Sequence, residues 1–131
     1  MRDIVLTDRG PKPIGPYSQA IKVNGLLFVS GQVSIDPKTN EFVAGDIAQQ
    51  TERTLENVKG IVEAAGSKLS HVIKTTVFLK NMSDFAAMNE VYARYFSAAP
   101  PARSTVDCTL EWPFCVSLGW VGDAMVCRPR A

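Results

Sequence analysis

The dipeptide Asn24-Gly25 stands between two apolar runs, residues 20–23 and 26–30. A tight hairpin needs two consecutive residues that accept positive φ, and Asn-Gly does so at low steric cost. The chain is therefore predicted to fold back at 24–25 and pair "AIKV" with "LLFVS". A sheet begun in this way must have apolar surface from another element laid against it.

The covering elements are legible by their period. In "DIAQQTERTLENVKGIVEAAG", residues 46–66, the side chains of Ile47, Thr51, Leu55, Val58, Val62 and Ala65 fall on one helical face. Asp46 is placed to cap the start and Gly66 to supply a left-handed stop. "HVIKTTVFLK", residues 71–80, sets Ile73, Thr75, Val77 and Leu79 against Lys74, Thr76, Phe78 and Lys80, the alternation of a half-buried strand. A second helix is predicted from Phe85 to about Phe96, capped by Ser83 or Asp84, with Phe85, Met88, Tyr92 and Tyr95 on its apolar face. Pro100 and Pro101 are expected to end it. The order is hairpin, helix, strand, helix, strand and one further strand. It predicts an α+β two-layer domain, a mixed sheet packed by two helices.

With 131 residues, 46% of them hydrophobic and 21% charged, one globular domain over 1–131 is expected, with a core that needs no disulfide or metal. The net charge of +1 is scattered, so no basic surface for nucleic acid is expected. The opening "MRDIVLTDRG" lacks the pattern of a secretory signal, and the apolar run 26–29 is far too short to cross a bilayer. The expected setting is cytoplasmic, or mitochondrial if a transit peptide has been removed. Three cysteines without a CxxC pair, and one histidine, His71, match no zinc spacing, so no metal is expected. His71, alone in a loop, reads as structural or solvated rather than as an acid or base.

Several stretches stand in a telling order: "IGPYSQA" (14–20), "FVSGQV" (28–33), "VEAAGS" (62–67), "VIKTTVFLKNMSDFAAMNEVYARYF" (72–96) and "PPARSTV" (100–106). Together they resemble the RidA/YjgF family of small enamine and imine deaminases. The resemblance covers residues 14–106, about four-fifths of the chain. It implies a chorismate-mutase-like fold, a homotrimer with clefts between subunits, and no cofactor. It also implies hydrolysis of 2-aminoacrylate and related intermediates to a 2-keto acid and ammonia.

The residue types suit that chemistry. Read alone, Arg103 is a strand-edge surface arginine. By resemblance it is the group that grips the substrate carboxylate, for which a permanently charged planar fork is suited. Tyr17 reads alone as an aromatic packed beside a Gly-Pro turn, and by resemblance as a pocket wall. Ser30 and Gly31 are either an ordinary strand end or the border of the substrate site. Asn89 is either a helix-surface amide or a cleft residue. Thr105 shares a strand face with Arg103; it is either a plain β-former or a carboxylate contact through its backbone.

The tail, residues 107–131, departs from the family. Where the family carries a final strand with a glutamate that positions the attacking water, an ungapped alignment from Arg103 places Leu118. All three cysteines and both tryptophans fall in this stretch, and its acids are Asp107, Glu111 and Asp123. Three readings stand: a divergent final strand, with 121–126 in the family strand's place and Asp123 or Glu111 as substitute acid; an altered reading frame or splice; or a member that binds without efficient turnover. In the first, Val116, Leu118 and Trp120 share one face, and Asp123 is the catalytic partner of Arg103. The functions in contention are the deaminase, a non-catalytic ligand-binding or chaperone-like trimer, and a single-strand ribonuclease or translation inhibitor.

Overall fold

The computed structural model describes residues 1–107 and 125–127. The expected hairpin is β2 (Ala20–Val23) with β3 (Leu26–Val29), joined by Asn24 and Gly25 at φ of 50° and 73°. A strand not read from the sequence, β1 (Asp3–Val5), lies antiparallel beside β2. The polar loop 36–40 is the tip of a small hairpin of its own, β4 (Ile35–Asp36) with β5 (Glu41–Phe42).

Helix α1 runs from Ile47 to Ala64, and Asp46 and Gln49 form a reciprocal capping box at its start. Gly66, at φ 85°, follows the last turn as expected. Then come β6 (Val72–Leu79), α2 (Phe85–Tyr95), β7 (Ala102–Asp107) and β8 (Met125–Cys127). The main sheet has the order β1-β2-β3-β8-β6-β7. Among the described residues only β6 and β7 run parallel in it. A short piece of the divergent tail, β8, thus takes a central place between β3 and β6. Val116, Leu118 and Trp120 lie outside the described residues.

The two helices pack side by side on one sheet face. Leu55, Val58, Ile61 and Val62 of α1 and Met88 and Tyr92 of α2 join Leu27, Val29, Val77 and Leu79 of the sheet in one buried cluster. Each fully buried aliphatic side chain of this kind contributes about 1.5–3 kcal/mol. The two-layer α+β architecture is as the order of elements implies, and the parallel pairing of β6 with β7 makes the sheet mixed.

Four local expectations need correction. Ile73 is 48% exposed, because the pairing of β6 with β8 shifts register between Val72 and Lys74, and Val72 takes the buried place. Ile61 is fully buried although the helical face read from the sequence omitted it. Asp84 stands at the start of α2 but its side chain makes no capping bond, since a 3-10 turn over Met82–Asp84 leads directly into the helix. And α2 stops at Tyr95, before the prolines, where Phe96 leaves helical geometry and packs its ring 4.6 Å from Tyr92.

Gly60 lies inside α1 where the N-terminal segment crosses it. A Cβ there would stand 2.5 Å from the Arg9 carbonyl oxygen. Alanine is the better helix former by about 1 kcal/mol, yet Gly60→Ala is expected to lower stability by about 1–3 kcal/mol through this overpacking. Urea denaturation measures it, and a stabilised variant would show that the crossing is loose.

Candidate functional site

Strand β7 sits at one edge of the sheet, paired with β6 so that Arg103 faces Thr75 and Thr105 faces Val77. Thr75 and Val77 are fully buried on the helix-covered face. Neighbouring residues in register share a face, so Arg103 and Thr105 look toward α2. The Arg103 guanidinium carbon lies 4.7 Å from the Tyr92 ring centre and 5.5 Å from that of Phe85. Asn89 is half-buried one turn after Phe85 and three residues before Tyr92, on the same helical side. Among the described residues the guanidinium has no carboxylate partner; the one ion pair there joins Arg9 to Glu63. The Thr105 hydroxyl is buried with no hydrogen-bond partner among them.

Beneath the guanidinium, the Tyr92 hydroxyl is 2.7 Å from the Thr75 hydroxyl. Burial pushes the Tyr92 phenol above its ordinary value of 10.0, against opposing pulls from the Thr75 hydrogen bond and the Arg103 charge. The phenol is therefore neutral throughout the ordinary working range.

The other expected residues gather elsewhere. Tyr17, Ser30 and Gly31 line an open groove of about 750 Å³, together with Arg2, Pro16 and Phe28. Tyr17 is half-exposed; its amide donates to the Gly15 carbonyl at 2.9 Å and its hydroxyl accepts from the Ile14 amide at 3.3 Å. Ser30 is fixed at the end of β3, its amide bonded to the Gln19 carbonyl and its hydroxyl donating to the Ser18 carbonyl at 2.5 Å. Gly31 follows it, exposed.

The strand register fixes the distance between the groups. Phe28, Val126, Lys74 and Ala102 form one row across β3, β8, β6 and β7, and the next row carries Val29, Thr75 and Arg103. Three inter-strand steps separate β3 from β7, about 14 Å. The candidate residues thus fall in two groups within one chain: Arg103, Asn89 and Thr105 at one edge, Tyr17, Ser30 and Gly31 across the sheet. The sequence pattern marks Phe85, Tyr92 and Thr75 only as core or strand residues. Their place around Arg103 follows from the pairing of β6 with β7, which periodicity does not encode. Asp123, Glu111, Leu118, Cys108 and Cys115 lie outside the described residues. His71 lies in a 3-10 turn at the foot of β6, remote in sequence from both groups, and its Nδ1 is buried without a partner among the described residues. No group of three His, Cys, Asp or Glu residues among the described residues converges as a metal site would, and no described helix is long and apolar enough to cross a membrane.

Residues 7–112 match the family model described as Endoribonuclease L-PSP. The chain belongs to this RidA/YjgF family. A RutC family protein of Pyrococcus horikoshii is 59% identical over 107 residues, covering 82% of this chain and 85% of its own. A 2-iminobutanoate/2-iminopropanoate deaminase of Dermatophagoides farinae is 44% identical, over 79% of this chain and 80% of its own. Among solved structures, a putative endoribonuclease of Thermotoga maritima superposes with a TM-score of 0.91 at 46% identity, over the whole of both chains. TdcF of E. coli, solved with bound serine, has a TM-score of 0.87 at 39% identity, over 98% of this chain and 99% of its own.

The raised Tyr92 pKa carries a sign. The fold favours the protonated phenol, so its contribution to stability is complete below about pH 10 and is lost as pH rises through the folded-state value. Melting temperature measured from pH 8 to pH 11.5 is expected to fall more steeply above pH 10 in the wild type than in Tyr92→Phe. Parallel curves would show that Tyr92 ionises as freely in the folded state as in the unfolded one.

Proposed function

We propose that residues 1–131 form one deaminase domain that hydrolyses reactive enamines and imines, 2-aminoacrylate among them, to 2-keto acids and ammonia. The observation that carries this reading is the Arg103 guanidinium: backed by two rings, at a sheet edge, without a carboxylate partner among the described residues. A planar carboxylate can accept two parallel hydrogen bonds from it. The deaminase name of the mite relative and the serine bound to TdcF, an α-carboxylate ligand, support the same reading.

In the reaction the enamine takes a proton at its β-carbon and gives one up from nitrogen, which forms the imine. Water then adds through oxygen to the C=N carbon while the nitrogen gains a proton. The carbinolamine collapses, the hydroxyl proton passes to nitrogen, and ammonia leaves. One water enters, one ammonia departs, and nothing is oxidised. Arg103 anchors the carboxylate beside that carbon; Tyr17, Ser30, Gly31, Asn89 and Thr105 border the substrate. Asp123 is the proposed acid that holds the water, in place of the family glutamate.

The proposed assembly is a homotrimer. Its support is that the two groups of candidate residues stand about 14 Å apart within one chain, and that among the described residues the sheet face away from the helices carries exposed apolar side chains. Ile4, Phe28 and Val106, on strands β1, β3 and β7, are each more than a third exposed there. A symmetric neighbour that covers this face brings one chain's edge toward another's groove.

Keto-acid release beside a dehydratase that generates 2-aminoacrylate tests the chemistry. Arg103→Ala is expected to abolish the acceleration with the fold intact, and Asp123→Asn to lower turnover about 10-fold with ligand affinity little changed. Full rate in Arg103→Ala would remove the anchor. Binding of 2-ketobutyrate without any turnover would favour the ligand-binding trimer that the departed tail raises.

Sedimentation equilibrium is expected to return about three times the 14.3 kDa chain mass. A monomer would leave each group without its complement.

A further inference from the structure

We propose that Tyr92, with Phe85 beside it, is the positioning element for Arg103: the two rings hold the guanidinium by its flat face, so that its N–H edge is turned out for a carboxylate. The proposal rests on the deaminase reading for its ligand, but its geometry stands apart from that reading.

A guanidinium within about 6 Å of a ring centre is attracted by the negative π face. Arg103 meets that condition twice, at 4.7 Å and 5.5 Å. Contact through the flat face leaves the in-plane N–H groups unspent, and those are the groups a carboxylate engages in two parallel bonds. The long arginine side chain otherwise loses much rotamer freedom when it binds. A cradle that restricts it beforehand lowers the cost of each binding event.

The cradle is itself held. Tyr92 is 5% exposed and packs on Phe96 at 4.6 Å between ring centres. Its hydroxyl is bonded to that of Thr75, which is fully buried and is the strand-pairing partner of Arg103. The connections form a closed circuit: Arg103 backbone to β6, Thr75 side chain to Tyr92 hydroxyl, and Tyr92 ring back to the Arg103 guanidinium. Through this circuit one buried hydrogen bond sets the ring's height against the strand that carries the arginine. The role belongs to the ring; the hydroxyl serves the ring's placement.

Calorimetric titration with 2-ketobutyrate and steady-state deaminase kinetics on four proteins separate these parts. Tyr92→Leu is expected to weaken binding and raise KM by about 3–30-fold, with kcat within about twofold. Tyr92→Phe keeps the ring and is expected to hold KM within about twofold while the melting temperature falls, because the Thr75 hydroxyl loses its partner. Arg103→Ala is the reference for complete loss of the anchor. Tyr92→Leu that binds 2-ketobutyrate as tightly as the wild type, while Arg103→Ala does not, would overturn the proposal and leave the deaminase reading standing. Absence of binding and turnover in the wild type would overturn the deaminase reading instead. In that event 15N relaxation of the Arg103 Nε decides: restricted in the wild type and Tyr92→Phe and mobile in Tyr92→Leu upholds the cradle, and equal mobility in all three removes it. Should Tyr92→Leu fail to fold, Phe85→Leu takes its place in both measurements with the same directions and a smaller expected change.

Discussion

Two parallel strands side by side cannot be joined by a tight turn; the chain leaving the first must cross over one face of the sheet before entering the second. In this protein β6 and β7 are such a pair, and the crossover is α2. That constraint places the aromatic side of α2 above the strand that carries Arg103. The rings of Phe85 and Tyr92 thus do two things with one position: they bury apolar surface against the sheet and they underlie a cation at its edge. Without the parallel pairing, the same helix would have no reason to meet the same arginine.

The two helices suffice for one face of the sheet. The other carries Ile4, Phe28 and Val106 into the open, a composition suited to contact with protein rather than to water. The same arrangement divides the expected site residues between β7 with α2 on one side and the groove beside β3 on the other. Partition of the candidate residues and exposed apolar side chains on the second face are two outcomes of one topology. Membership of the RidA/YjgF family accords with the fold.

Two buried polar side chains are tied down in ways that shape this core. Asn57, fully buried in α1, donates to the carbonyls of Val33 and Ile35 and so holds the segment after β3 against the helix. Gln19 spans the carbonyls of Thr7, Gly10 and Pro11 and keeps the N-terminal crossing in place over Gly60. A buried group left unbonded would cost about 1–3 kcal/mol, so these ties specify where loops run as well as adding stability. Tyr92 with Thr75 belongs to the same class, with the difference that its ring faces a cation.

Much of this was legible along the chain. Asn24-Gly25 dictated its turn because few residue pairs accept positive φ twice. Asp46 and Gly66 marked the ends of α1, since a helix terminus needs partners for its unpaired backbone groups wherever it sits. Local steric and hydrogen-bonding rules carry such information, and they act over a few residues. Arg103 was singled out by the family resemblance instead; read alone it was a strand-edge surface charge. The insertion of β8 between β3 and β6, the register shift that turns Ile73 outward, and the alignment of Thr75 with Arg103 were decided by pairing between distant segments. Strand period is the same whichever neighbour a strand takes, so periodicity named the strands and left their order open. Only that order set Tyr92 under Arg103 and parted Ser30 from it by the width of two strands, because sheet order is a property of the folded chain and not of any stretch of it.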